Sequence, residues 1–345
     1  MAQQGRKILF ILGAGASVGA GAYAQVQGTG RVPTPTQTTF WPTFLRFCSK
    51  KQHRKIIESF LFRYFLGYRK VPSRLKPANR WALLSGIDVE EVFTFVSERV
   101  RAPATTPQLR TYAEGVWDAL VSEMSAVFGR FEPNVKTRAT YRDLLRQHVR
   151  SRDAVVSFNY DTIFEKSLPI NRAWYYEGIH SHGKGIPVLK PHGSVNWAAP
   201  NEQERSILVS EQPTHPVIVA PTHLKFVQTA NSSEEPLAMD VDGSGYLDQS
   251  PQVQQIWAEM EKQMRQAKAL VFVGYSFPVA DLYFSSVLRT VLAIRSASPT
   301  IVIVNPDAVA IRDRLLKRFP IGKILVYFDL VTFLQVNRDQ LLQQI

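Results

Sequence analysis

The chain has 345 residues, of which 45% are hydrophobic and 20% charged. That composition excludes a disordered or fibrous protein, and the length suits roughly two domains of about 150 residues each, or one large α/β domain carrying an inserted module. Lys and Arg total 41 against 29 Asp and Glu, a net +12 that favours anionic partners, whether nucleic acid, an acidic protein or an anionic dinucleotide.

Lys7 to Leu12 reads as a parallel strand buried on both faces. With Arg6 ahead of it and small residues up to Ala24 behind, the run has the look of a secretory signal, but its apolar core of five residues is too short for one. No window reaches the roughly 20 apolar residues of a bilayer span, so no membrane association is expected. Gly13 to Gly21 follows as a loop, and Gly28 to Pro42 is too rich in Gly, Thr and Pro for a helix, so an irregular flap is expected there.

From Thr43 to Arg150 the apolar spacing becomes helical, with Phe44, Phe47, Ile56, Phe60 and Tyr64 on one stretch and Val92, Phe93, Val96 and Val100 on a second. A third stretch runs from Leu109 to Phe131, and Asp88-Val89-Glu90-Glu91 is a good helix start because carboxylates complement the dipole there. Cys48 is the only cysteine, which rules out an intrachain disulfide and any zinc site of paired cysteines, and suits a reducing, cytoplasmic setting. Basic residues concentrate at Lys50 to Lys55, Arg63 to Arg80 and Arg142 to Arg152. They read as solvated helical faces; with no recognisable nucleic-acid module beside them, nucleic acid is a possible partner that is not expected to bind directly.

Strands return at Ala154 to Phe158, Val188 to Lys190, Val217 to Ala220, Ala269 to Val273, Ile301 to Val304 and Ile324 to Tyr327. Helices over Gln252 to Ala267, Asp281 to Arg295 and Ala308 to Phe319 separate the later strands, which implies right-handed crossovers. The expected fold class is α/β: a Rossmann-like, mostly parallel sheet with helices on both faces and an all-helical insertion. Residues 1–42 and 151–345 would form the Rossmann-like domain, residues 43–150 the insertion, and residues 228–250, polar and acidic, a mobile loop.

Five motifs fall at expected strand C-termini, where open α/β sheets bind ligands. Gly13-Ala14-Gly15-Ala16-Ser17 could bring backbone amides close to a phosphate, or could simply be a tight strand-to-helix turn. Asn159 and Asp161 could grip a carboxamide or a ribose hydroxyl, or could satisfy a turn and cap a helix. His192, followed by a glycine, could act as a general base or be structural. Gly274-Tyr275-Ser276 and Asn305 complete the set, and one shared cleft is the economical reading of five polar motifs on one edge.

In chain order, Gly13 to Ser17, Ser157 to Asp161, Pro191 to Ser194, Val273 to Pro278 and Val304 to Asp307 resemble the sirtuin-like family, specifically its bacterial branch of NAD hydrolases of anti-phage defence, over nearly the whole chain. The resemblance implies a cofactor-binding set of Gly13, Ala14, Gly15, Ala16, Ser17, Asp161, Gly274, Tyr275, Ser276 and Asn305, with Asn159 and His192 catalytic and NAD as substrate. It implies cleavage to nicotinamide and ADP-ribose, depletion of NAD in defence, a homo-oligomer, and a partner of the HerA ATPase type. Deacylase sirtuins carry a four-cysteine zinc ribbon, and a Gln where Phe158 stands; this chain has neither, so no zinc is expected and peptide deacylation is disfavoured. A non-catalytic NAD or ADP-ribose sensor is the competing reading.

Overall fold

The computed structural model describes residues 7–26, 30–102, 104–169, 173–180, 183–198, 206–210, 213, 216–219, 251–279 and 281–345. In chain order the elements are β1 (Ile8–Leu12), α1 (Ala14–Gly19), β2 (Tyr23–Val26), β3 (Gly30–Pro33), α2 (Phe40–Phe47), α3 (Lys51–Tyr64), α4 (Pro77–Ser85), α5 (Val89–Arg101), α6 (Pro107–Phe128) and α7 (Val135–Gln147). They continue with β4 (Ala154–Ser157), α8 (Ile163–Ser167), β5 (Trp174–Tyr176), β6 (Ile186–Leu189), β7 (Gly193–Ala198), β8 (Leu208–Val209), β9 (Pro216–Ile218), α9 (Pro251–Gln266), β10 (Ala269–Val273), α10 (Leu282–Ile294), β11 (Thr300–Val304), α11 (Ala308–Arg318), β12 (Ile324–Tyr327), α12 (Leu330–Leu334) and α13 (Arg338–Gln344). These divide into two compact units, one of Met1–Thr34, Phe131–Gly193 and Ser250–Ile345, the other of Pro35–Arg130 and Ser194–Gln249.

The first unit is built on a seven-stranded sheet in the order β12-β11-β10-β1-β4-β6-β5. Every neighbouring pair runs parallel. All residues of β1, β4, β10 and β11 are buried, as a parallel sheet covered by helices requires. This is the Rossmann-like α/β fold that the alternation of strands and helices implied. Strands after β1 build outward on one side through β4, and those from β10 build outward on the other. The order therefore reverses at the β1–β10 boundary, and a crevice opens above the strand ends at such a switch point.

A buried ion pair fastens the opposite edge of this sheet. Asp153, fully buried just before β4, accepts from the amides of Ile8 and Arg150, both at 2.8 Å, and pairs with Arg338 at 2.5 Å. Arg338 opens α13 and also donates to the His148 carbonyl, so one side chain ties the C-terminal helix to the roots of β1 and β4.

Helix α7 falls in this unit, although the sequence reading extends the helical insertion to residue 150. Its buried face, Tyr141, Leu144 and Leu145, belongs with the Rossmann-like core; the Tyr141 ring meets Phe164 of α8 edge-on at 5.3 Å. Two expectations are corrected: Gly13 to Gly21, expected as a loop, turns at Gly13 straight into helix α1, and in place of the irregular flap β2 and β3 pair as an antiparallel ribbon and helix α2 begins at Phe40. Pro42 is compatible with α2 because it lies in the first turn, where its missing N–H removes no helical bond. The apolar Phe40, Trp41, Phe44 and Phe47 then drive burial of that helix.

In the second unit α2 to α6 pack with a three-stranded sheet of order β8-β7-β9. The stretch after Pro216 therefore joins this small sheet rather than the main one. Helix α5 starts where expected, the Asp88 carboxylate accepting from the amides of Glu90 and Glu91 at 2.8 and 3.1 Å. Glu123 of α6, 1% exposed, accepts from the amides of Ser49 and Lys50 at 2.5 and 3.1 Å, fixing the start of α3. Residues 228–250 lie outside the described residues.

Replacing Arg338 by Met leaves the Asp153 carboxylate buried without its counter-charge. A loss of about 3–5 kcal/mol in urea unfolding is expected. The double variant Arg338→Met with Asp153→Asn, which buries no charge, loses less than the single variant.

Candidate functional site

Because the seven strands are parallel, the loops leaving β1, β4, β6, β10 and β11 emerge on one edge. That edge carries every residue singled out from the sequence. At about 4.8 Å per strand step, the four steps from β6 to β11 span about 19 Å, room for an elongated ligand lying across the strand ends.

The two glycine motifs meet at the switch point. The Gly13 amide donates to the Val273 carbonyl at 3.0 Å and the Gly15 amide to the Gly274 carbonyl at 2.9 Å, while the Ala16 amide turns back to Gly13 at 2.8 Å. A Cβ on Gly13 would stand 2.7 Å from the Gly274 carbonyl oxygen, and one on Gly15 would stand 2.9 Å from it. Gly274 has φ +62, and its own Cβ would overlap the backbone of Gly15 and Ala16. The glycines are thus required for contact between two backbones, and three amides of this turn into α1 are used within the fold. Ala14 is the residue of this loop left exposed to a ligand.

Asn159 is buried at 7% exposure beneath that loop. Its Nδ2 donates to the Gly13 carbonyl at 3.0 Å and to Ser17 Oγ at 3.4 Å. Contact with a carbonyl oxygen fixes the amide orientation, since the flipped form would set oxygen against oxygen. The Asn159 Oδ1 is therefore the atom placed to accept from a hydroxyl or a water.

Asp161 accepts from Ser17 Oγ at 3.4 Å and from the Ile163 amide at 2.9 Å, so it both closes the turn into α8 and joins the cluster. Lys190, fully buried at the end of β6, donates to the Asp161 carbonyl at 2.6 Å and to Glu165 Oε1 at 2.9 Å. Tyr176 donates to the same Glu165 oxygen at 3.3 Å. Burial pushes the Asp161 carboxyl up to about 6, against the downward pull of the Lys190 ammonium. Lys190, Glu165 and Tyr176 were missed in the sequence, although a lysine closing an apolar strand signals a buried charge that needs a partner.

His192 is 5% exposed and held among rings. Its centroid lies 4.8 Å from Phe158 and 6.1 Å from both Tyr160 and Trp257, and Trp257 Nε1 donates to the Pro191 carbonyl at 3.1 Å. Phe158 also stacks on Tyr275 at 5.1 Å and meets Phe284 edge-on at 5.2 Å. Tyr275 in turn donates to Asp281 at 2.6 Å. Phe158, just before Asn159, is thus the hub of an aromatic cluster linking His192 to the β10 loop. Ser276 is exposed, its carbonyl accepting from Arg314.

Asn305 sits farther out, at the end of β11. Its side-chain oxygen accepts from the Asp307 amide at 3.0 Å, a turn that leads into α11. Gly13 to Ser17, Asn159, Asp161, His192, Gly274 and Tyr275 therefore form one connected cluster, and Asn305 and Ser276 lie on the same edge. Among the described residues no group of three or more His, Cys, Asp or Glu could hold a metal, and no helix is long and apolar enough to cross a membrane.

A family model described as a SIR2-like domain matches residues 153–321, just under half of the chain. Among solved structures, a serine-to-alanine mutant of a Sir2 homologue bound to ADP-ribose is 13% identical, covering 92% of this chain and 86% of that one at a TM-score of 0.35. A histidine-to-tyrosine mutant of Sir2 with a p53 peptide and NAD is 14% identical, with 99% and 94% covered and a TM-score of 0.34. A third, described as a structural basis for the mechanism and regulation of Sir2 enzymes, is 12% identical, with 99% and 95% covered and a TM-score of 0.35. No curated protein sequence matches the chain.

Gly274→Ala combines a strained φ with a backbone clash, so a loss of at least about 2 kcal/mol is expected in thermal or urea unfolding. Gly19→Ala, with nothing within 4 Å of the new Cβ, is neutral or stabilising by up to about 1 kcal/mol. Equal effects at the two positions would contradict the backbone-contact account. Asp161 holds its proton more tightly folded than unfolded, because its folded value of about 6 exceeds the ordinary 3.8. Its ionised form therefore lowers stability above pH 6, and that cost is relieved as pH falls from 6 toward 4. In melting curves taken across that range, Asp161→Asn gains on the parent above pH 6 and loses the advantage near pH 4.

Proposed function

We propose that the chain is a sirtuin-like NAD glycohydrolase, cleaving NAD to nicotinamide and ADP-ribose. The observation that carries the reading is the single cluster in which Asn159 lies under the glycine turn while His192, among aromatic rings, stands after β6 on the same sheet edge. The SIR2-like match over residues 153–321 takes in both residues.

In this reading the dinucleotide lies along the strand ends from β6 toward β11, with its nicotinamide ribose near Asn159 and His192 and its adenosine end toward Asn305. Gly13 to Ser17, Asp161, Gly274, Tyr275 and Ser276 line the path between. The bond from ribose C1′ to the nicotinamide nitrogen breaks, and its electron pair neutralises the positive ring. Nicotinamide is already cationic as a leaving group, so no general acid is required. Asn159 Oδ1 holds a water or a ribose hydroxyl, and His192 takes the proton as water adds to C1′. The aromatic rings exclude bulk water, and Asp161, locked through Ser17 and Lys190, keeps the loop and Asn159 in register.

The same reading places the protein in the cytoplasm as a homo-oligomer, depleting NAD in anti-phage defence together with a HerA-type ATPase, and working without zinc. Purified protein incubated with NAD, without and with an acetylated peptide, is expected to release nicotinamide and ADP-ribose in both cases. His192→Ala and Asn159→Ala should each lower that rate by about 100- to 10,000-fold while retaining the parent melting temperature within a few degrees. Acetyl-ADP-ribose as product would replace the reading with a deacylase. Tight NAD binding without turnover, in the presence of the ATPase as well, would replace it with a sensor.

A further inference from the structure

Between positions 50 and 80 the chain carries ten Lys and Arg against one acid, Glu58, so this stretch holds a net +9 of the chain's +12. Read along the sequence, these charges look like separate solvated runs. In the helical unit they gather, because α3, the connection after it and α4 are fastened together. Arg80 of α4 pairs with Glu58 of α3 at 2.9 Å, which joins the two helices and neutralises the only acid in the stretch. The other nine basic side chains are exposed.

Two aromatic side chains stand among them. Tyr68 is 38% exposed, its amide donating to the Phe62 carbonyl at 2.9 Å and its ring 5.6 Å from Phe62, so it is anchored to α3. Trp81, next to Arg80, is 41% exposed. Arg69, Lys70, Arg74 and Lys76 lie on the chain between the two rings. A lone exposed aromatic needs no ligand. Two exposed rings at either end of a basic run, in a stretch of net +9, match a specific chemistry: cations for phosphates and flat faces for unpaired bases.

We propose that this face of the helical unit binds single-stranded nucleic acid, with the backbone phosphates on the exposed Lys and Arg of α3 and of residues 69–76, and bases stacked on Tyr68 and Trp81. Single strands are favoured over duplex because a paired base offers no free face for stacking. This replaces the expectation from sequence that nucleic acid does not bind directly, and it is independent of the activity proposed for the Rossmann-like unit.

The test is fluorescence anisotropy of a labelled single-stranded oligo(dT) with the full chain, from low to physiological salt, with a duplex of equal length and poly-glutamate as competitors. Binding is expected to weaken steeply with salt and to prefer the single strand. The triple variant Arg69→Ala, Lys70→Ala, Arg74→Ala should flatten the slope of log affinity against log salt by about 2, at about 0.7 per lost phosphate contact. Trp81→Ala should weaken binding roughly 5- to 100-fold with the slope unchanged, since stacking releases no counterions. All these side chains are exposed, and melting curves matching the parent check that the variants fold. Three outcomes overturn the proposal: no binding at low salt, duplex bound as well as single strand, or poly-glutamate competing equally while Trp81→Ala changes nothing. The last would identify a docking face for an acidic protein.

Discussion

Two backbones can approach to hydrogen-bonding distance at loop tips only where side chains are absent, and the site rests on that constraint. Gly13 and Gly15 from the β1 loop and Gly274 from the β10 loop close against each other at the place where strand order reverses. The contact fixes the height of the glycine loop above the sheet. It gives Asn159 a carbonyl to hold from below and brings Tyr275 within stacking distance of Phe158. The crevice that a parallel sheet opens at a switch point is here narrowed into a defined floor.

Beneath that floor lies a buried polar chain running from Tyr176 through Glu165, Lys190 and Asp161 to Ser17 and Asn159. Burying a lysine is costly unless its charge is paired, and Lys190 is paired with Glu165 and bonded to a carbonyl. The arrangement gives little latitude, because moving one member strands the charge of the next. Its effect is to hold Asn159 in one orientation, with Nδ2 on the Gly13 carbonyl and Ser17 Oγ. On the other side of Asn159 the environment is aromatic, and Phe158, Tyr160 and Trp257 hold the His192 ring. Polar rigidity on one side and apolar enclosure on the other suit a reaction that must place one water and exclude the rest.

The helical unit has a different chemistry. Its core is aromatic, with Trp41, Phe44 and Phe93 buried together, and Glu123 spends its charge fixing the start of α3. Its surface between residues 50 and 80 is almost purely cationic. The Rossmann-like unit thus carries the candidate reaction centre, and the helical unit carries the chain's densest cationic stretch, net +9 over residues 50–80.

The sequence by itself determined every strand of the main sheet but β5, its parallel class and the edge on which the motifs lie, because an apolar run ending in glycine or a polar turn is a local pattern that local physics reads. It also marked Asn159, Asp161 and His192. Only the tertiary structure decided why those residues are held as they are. The need for Gly13, Gly15 and Gly274 arises from a contact more than 250 residues apart in the chain. The partnership of Lys190 with Glu165, the role of Phe158 as an aromatic hub, the grouping of α7 with the Rossmann-like core and the joining of α3 to α4 through Glu58 and Arg80 all depend on which elements meet. Periodicity tells which face of an element is buried. It carries no information about which distant backbone, carboxylate or ring will lie against that face.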